Sequence, residues 1–200
     1  MSTPIDESDL LRAQCYGLLA QLLVAPPSRD VLTRVAGLKG DDTPFGKALS
    51  RLAEVASETS VTAAEREHFA LFIGVARGEL VPYASYYLTG FLNEKPLARL
   101  RAEMQGLGIA RQDNVSEPED HIASICEMMA GLILGAFGTP ADLATQRRFH
   151  DRHLEPWATR FFEDLEKAAA ANLYRPVGEI GRLFLAIEAE AFAMTGPPAS

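Results

Sequence analysis

Apolar residues recur every three or four positions along most of the chain, the spacing of one face of an α-helix. Over 5–25 they fall at Leu10, Leu11, Ala13, Tyr16, Leu18, Leu19, Leu22 and Leu23, and the run stops at Pro26-Pro27. Ser28 can cap a second helix through Leu38, and 40–44 is a loop. A third helix is predicted over 47–56. Thr62 and Glu65 form a capping box for a fourth, which runs toward Gly74. Residues 77–90 are aromatic-rich and irregular, a loop with a short helical turn. Asn93 or Glu94 opens a helix through Met104, ended by Gly106 and Gly108. After a polar connector and the central stretch, Thr139-Pro140 starts a helix reaching about His150. Pro156 restarts the chain into 157–172, and 177–194 closes it before a loose Gly-Pro-Pro tail. Strand alternation and 20–50-residue repeats are lacking. The expected fold is all-α: one domain over 1–200, core about 5–195, with roughly eight helices packed around a buried central one.

That central helix is the stretch SEPEDHIASICEMMAGLILGAFG at 116–138. Ser116 with Glu119 makes a capping box, and Pro118 sits where a missing N–H costs little, so the helix is expected to start at Glu117. From Ile122 the apolar positions go round the cylinder, the mark of a helix buried on all sides. Its first turn, with Glu117, Asp120 and His121, must open near the surface.

Composition narrows the class. Two hundred residues, 48% hydrophobic and 23% charged, suit one globular domain with a single large core. A formal net charge of −8 argues against nucleic-acid binding and favours a cationic partner. Cys15 and Cys126 lie in apolar helical patterns, where reduced core residues are expected and a disulfide stays open. The first nine residues lack the basic region of a signal peptide, and the longest uncharged run is too short to span a bilayer. A cytoplasmic protein is expected.

Catalytic motifs fail one by one. Gly40, Gly46 and Lys47 miss the phosphate-loop spacing, and Ala48 stands where a magnesium-binding hydroxyl belongs. Gly106 and Gly108 lack the third glycine of a dinucleotide fingerprint. Glu65 and His68 supply one Glu-x-x-His, but a di-iron bundle needs two, which leaves an exposed pair on a helix face. His150 and His153 read as cations at a helix C-terminus. Neither cysteine lies in a nucleophile motif. No catalytic residue, metal site or cofactor is assigned.

Glu117, Asp120 and His121 remain. A helix N-terminus favours anions and a neutral imidazole. An anionic patch beside apolar walls suits a peptide with arginines followed by hydrophobic residues, since guanidinium pairs bidentately with carboxylate. On this reading neutralising Asp120 costs little stability. From the residues alone, simple helix capping stays open. So does a helical enzyme or metal-binding protein using His121 with Glu117 or Asp120.

A family resemblance bears on that choice. Glu117-Pro118-Glu119-Asp120-His121, followed by an apolar helix with Glu127-Met128-Met129, resembles the Glu-Pro-x-Asp-His signature of the TorD/DmsD/NarJ group of redox-enzyme maturation chaperones. LLRAQCYGLLAQLLVAPPS resembles the group's first helix and its Pro-ended turn. FALFIG at 69–74 and Pro82-Tyr83-Ala84-Ser85-Tyr86-Tyr87-Leu88 are similar to its Leu-Phe-x-Gly and Pro-aromatic-x-Ser-x-Tyr region. His153-Leu154-Glu155-Pro156-Trp157 resembles its late His-Leu-x-Pro-Trp element. The similarity covers about residues 10–190.

The resemblance implies a chaperone and not an enzyme. It would bind the twin-arginine signal peptide of a molybdenum-cofactor oxidoreductase, hold the apo catalytic subunit, and assist maturation before export. Carried over by motif, Glu117, Pro118, Asp120 and His121 line the signal-peptide site, with Tyr83, Ser85 and Tyr86 from the aromatic loop. Tyr83 stands where some members have tryptophan. Pro156 and Trp157 are expected to be structural. Residues 87–101 resemble chaperones associated with formate dehydrogenases, which makes that enzyme the candidate client. Nucleic acid and membrane are not expected partners; a homodimer is left open.

Overall fold

The computed structural model describes residues 5–111 and 117–194. Among them are ten α-helices and a single π-helical turn, against the roughly eight helices read from the sequence. No strand is present among the described residues; the only extended pairing is one antiparallel bridge between Tyr83 and His121. The fold is all-α.

The helices are α1 Glu7–Val24, α2 Arg29–Ala36, α3 Pro44–Glu58, α4 Val61–His68, α5 Ala84–Thr89, α6 Lys95–Gly106, α7 Ile122–Leu134, α8 Leu143–His153, α9 Ala158–Lys167 and α10 Tyr174–Met194, with the π-helical turn at Phe69–Ile73. Ser28 caps α2 as expected, accepting from the Val31 N–H. Three other starts shift. The α3 cap is Thr43, with Pro44 in the first turn. The α4 cap is Ser60 and not Thr62. The α8 cap is Asp142 and not Thr139. In each case an earlier or later short polar side chain bonds an N–H three residues on, which is what selects the cap.

Contacts gather the chain into two compact units, a division that the sequence reading of one domain over 1–200 does not contain. One comprises residues 22–81 and 158–194. In it α9 packs along α10, with Phe161, Phe162 and Leu165 buried. Gly178 and Gly181 let the two helices touch: a Cβ at Gly178 would lie 2.6 Å from Glu166 N and 2.7 Å from Phe162 O. Two carboxylates staple the connecting turn. Glu67 accepts from the N–H groups of Asn172, Leu173 and Tyr174, and Glu79 from those of Ala169 and Ala170. His68 is buried against Phe72 and Tyr174, so it is no member of an exposed Glu/His pair. Gly40 and Gly46 are pressed together in a tight turn, a packing role that leaves no phosphate cradle.

The other unit comprises described residues within 1–21 and 82–157. Its rod is α7, of which only Glu127 and Leu134 are exposed. The helix starts at Ile122 and not Glu117, with His121 as its cap; Ser116, half of the expected capping box, lies outside the described residues. Gly135 ends it in the left-handed conformation at φ +76°, which glycine adopts without penalty. Cys126 on α7 is fully buried, and burial pushes its thiol pKa up, so the cysteine is an inert core residue. Neither Cys15 nor Cys126 is in a disulfide.

Two outcomes follow from this packing. Gly178→Ala drives a methyl into the α9 backbone and should lower stability by about 1–3 kcal/mol, read as a fall of several degrees in Tm. Gly17→Ala, where no atom lies within 4 Å, should leave Tm unchanged or raised. The second outcome concerns pH. Burial lowers the pKa of His68, with a partial offset from the Leu23 backbone, and burial also lowers His153, against the pull of Glu103. Both groups therefore take up protons more readily unfolded than folded. Their stabilisation is full above the ordinary histidine value of about 6.5 and is lost as pH falls through the lower folded values. Melts from pH 8 to pH 5 should show Tm falling below pH 6.5, with a shallower fall in His68→Gln; a Tm that climbs on acidification contradicts this.

Candidate functional site

Two short extended segments meet in the second of these units. Ile122 N donates to Pro82 O at 2.9 Å and Ala84 N donates to Asp120 O at 3.0 Å, on either side of the Tyr83–His121 bridge. Pro82 has no N–H to satisfy and leaves its carbonyl free for the pairing. The two sequence motifs, 82–86 and 117–121, are thereby clamped side by side. Tyr83 and His121 stack edge to face with ring centroids 5.1 Å apart.

Each ionisable group in the clamp has a different occupation. Glu117 is exposed and accepts a short hydrogen bond from the Tyr83 hydroxyl. Burial and then the Glu117 contact raise the Tyr83 pKa, keeping the phenol protonated as donor. Glu119 is buried and carries two arginines: Arg101 Nε at 2.8 Å on Oε2 and Arg111 Nε at 2.9 Å on Oε1. Burial alone would raise its pKa, but the arginine contacts outweigh it and the net shift is down. His121 Nδ1 accepts from the Ala123 N–H at 3.1 Å, so that nitrogen carries no proton and caps α7.

Asp120 is the group the clamp does not finish. It is 1% exposed, and its Oδ2 accepts from the Ser85 N–H at 2.8 Å, capping α5 from outside. Tyr83, at the cap position of α5, makes no such side-chain bond. Asp120 Oδ1 has no hydrogen-bond partner among the described residues, and neither does the buried Ser85 hydroxyl. An unpaired buried carboxylate oxygen costs more than a lost neutral hydrogen bond. Asp120 thus also has a structural duty: its Oδ2 caps α5, so a change that deletes this oxygen uncaps the helix, whereas neutralisation to Asn keeps an acceptor in place.

Asp120 forms part of the wall of a cavity of about 740 Å³. Its apolar surface comes from Leu88 on α5, Pro96 and Leu100 on α6, Leu107 at the C-terminal cap of α6, Ile125 on α7, and Trp157. At the polar end Glu103 Oε2 lies 3.0 Å from His153 Nε2 and 3.2 Å from an Arg152 guanidinium nitrogen, with Arg148 3.5 Å from Oε1. Burial raises the Glu103 pKa less than His153 and Arg152 lower it, so the carboxylate is held ionised. Leu88, Phe91 and Leu92, on α5 and the turn after it, are exposed, Phe91 at 70%. Of these, Leu88 also lines the cavity.

Of the expected residues, the clamp brings together Tyr83, Ser85, Glu117, Asp120 and His121, with the His121 N–H donating to the Pro118 carbonyl at 3.2 Å. Tyr86 stacks edge to face against Tyr87, with ring centroids 6.2 Å apart. Trp157 is buried, as expected of a structural residue, with its indole N–H donating to His153 O at 2.7 Å; it also walls the cavity. His150 and His153 lie in the last turn of α8, as the sequence reading has them, and both are buried. Sequence reasoning missed Glu103 and the α6 face. The signal was there at Pro96, Leu100, Glu103 and Leu107, one stripe at helical spacing. Among the described residues no three His, Cys, Asp or Glu side chains gather as a metal ion would require.

The chain is similar to known proteins in both sequence and fold. Chaperone protein TorD of Vibrio cholerae serotype O1 is 31% identical over 122 residues, 58% of this chain and 56% of that protein. TorD of Photobacterium profundum is 38% identical over 68 residues, 33% of this chain and 32% of that one. The match thus spans little more than half the length of such relatives. An Archaeoglobus fulgidus protein, described from its crystal structure as a candidate redox enzyme maturation protein, superposes with a TM-score of 0.61 at 19% identity. That match covers 93% of this chain and 98% of the other, and it establishes a shared fold. Residues 38–163, well over half the chain, match the family model described as nitrate reductase delta subunit, and the chain belongs to that family.

Proposed function

We propose that this protein is a cytoplasmic chaperone that binds the twin-arginine signal peptide of a molybdenum-cofactor oxidoreductase and assists its maturation before export. Support comes from the family membership and from relatives named as TorD chaperones. The single observation that carries the reading is Asp120: a buried carboxylate with one oxygen committed and one without a partner, in the wall of a cavity that is apolar on one side and lined by Arg99, Glu103, Arg148, Arg152 and His153 on the other. A guanidinium is the donor such an oxygen matches best. Leu88, Leu100, Ile125 and Trp157, together with the exposed Phe91 and Leu92, would take up the hydrophobic part that follows the arginines. The acidic chain would speed the encounter and orient the cationic end. The apo catalytic subunit would be held through its leader, and formate dehydrogenase is the candidate client.

An enzyme using His121 with Glu117 or Asp120 fits less well. The Nδ1 of His121 is engaged with the Ala123 N–H, and Glu117 with the Tyr83 hydroxyl. Neither group is poised to move a proton on a substrate.

Asp120→Asn keeps a carbonyl oxygen to cap α5 but removes the charge. Calorimetric titration with a synthetic paired-arginine leader should show affinity falling by about tenfold or more, with Tm close to wild type. Asp120→Ala should lose the same affinity and also about 1–2 kcal/mol of stability, because the Ser85 N–H is left uncapped. Unchanged affinity in Asp120→Asn refutes the assignment of the site.

A further inference from the structure

The residue between Pro118 and Asp120 has no part in the function described so far. Glu119 is a carboxylate beside the proposed guanidinium site, 8% exposed, and already in guanidinium contact. The two arginines that hold it are unlike each other. Arg101, on α6, places both Nε and a terminal nitrogen against Oε2, at 2.8 and 2.7 Å. Arg111, past the end of α6, reaches Oε1 with its Nε at 2.9 Å and is half exposed. Only the arginine side of this pair is exposed, so Arg111 can move into water, but its departure strands a buried carboxylate oxygen unless another cation takes its place.

We propose that Glu119 Oε1 is a second guanidinium subsite beside Asp120, closed in the free protein by the chain's own Arg111 and opened when a client arginine displaces it. This rests on the leader-binding reading and deepens it. Asp120 walls the cavity and Glu119 does not, so consecutive carboxylates face different surroundings. Consecutive side chains of an extended peptide likewise leave on opposite faces, so adjacent arginines present one group to each. A single arginine, or a lone basic residue in an unrelated leader, gains only the Asp120 contact and does not repay the exchange. Arg111 thus acts as an internal competitor that raises the threshold for binding and sharpens the choice for paired arginines.

The probe is a synthetic peptide with two adjacent arginines followed by an apolar run, titrated at low ionic strength against a version with one arginine replaced by glutamine. In wild-type protein the paired peptide should bind more tightly than the single-arginine one. Arg111→Gln should tighten the paired peptide by about three- to tenfold, as the competitor is removed. Arg111→Lys, which keeps the charge over Glu119 with a looser hold, should move in the same direction by a smaller factor, and it serves if the Gln variant fails to melt cooperatively. Adding Glu119→Gln to Arg111→Gln should abolish the gain, since the gain depends on the freed carboxylate. Equal or weaker binding in both Arg111 variants, with Asp120→Asn still impaired, overturns this inference and leaves the leader-binding reading standing. Wild-type protein indifferent to both arginines overturns the two together.

Discussion

A hydrogen bond from the Ser85 N–H to Asp120 Oδ2 ties the start of one short helix to the residue before the cap of the longest-buried one. It is a charge-assisted bond in a place with almost no water, and it fixes the carboxylate within the turn that opens α7. Everything proposed for the site depends on that fixing. A carboxylate so held cannot rotate to solvent to relieve its second oxygen, so the desolvation penalty persists until a donor arrives. The clamp around Tyr83 and His121 keeps the penalty from being relaxed by local movement.

The surroundings divide the work between charge and burial. Glu117 and Glu119 are occupied by Tyr83 and by two arginines, while Glu103 at the other end of the cavity is held by His153 and Arg152. Among the described residues two buried carboxylate oxygens of the cavity wall make no hydrogen bond, Asp120 Oδ1 and Glu103 Oε1, and the second already has Arg148 at 3.5 Å. Apolar walls on α5, α6 and α7 supply area, which gives affinity without reading sequence. The exposed Leu88, Phe91 and Leu92 extend that area outward.

Much of this was legible in the chain. The all-round apolar pattern of 122–134 identified α7 as the buried rod, because periodicity and burial are the same fact seen twice. The motif residues were found by type and order, and five of them meet. What escaped was set by tertiary contact. Ser116 and Glu119 satisfy the capping-box pattern, yet His121 caps the helix and Glu119 is drawn off by arginines 18 residues back in α6 and at Arg111. Asp120's structural duty was invisible because its partner, Ser85, lies 35 residues away. Glu67 and Glu79 staple a turn some hundred residues later, a pairing no local pattern announces. Local rules find the candidates for a cap; packing decides which is used.

The central claim is that a cationic, apolar leader seats between α5, α6 and the mouth of α7. Backbone amide chemical shifts of the labelled protein, followed while a paired-arginine leader peptide is titrated to saturation, test it without altering a residue. The account predicts the largest changes at Ala84, Ser85, Leu88, Leu100 and 120–125, with α9 and α10 unmoved. Changes centred on α9 and α10, or none at saturating peptide, would contradict it.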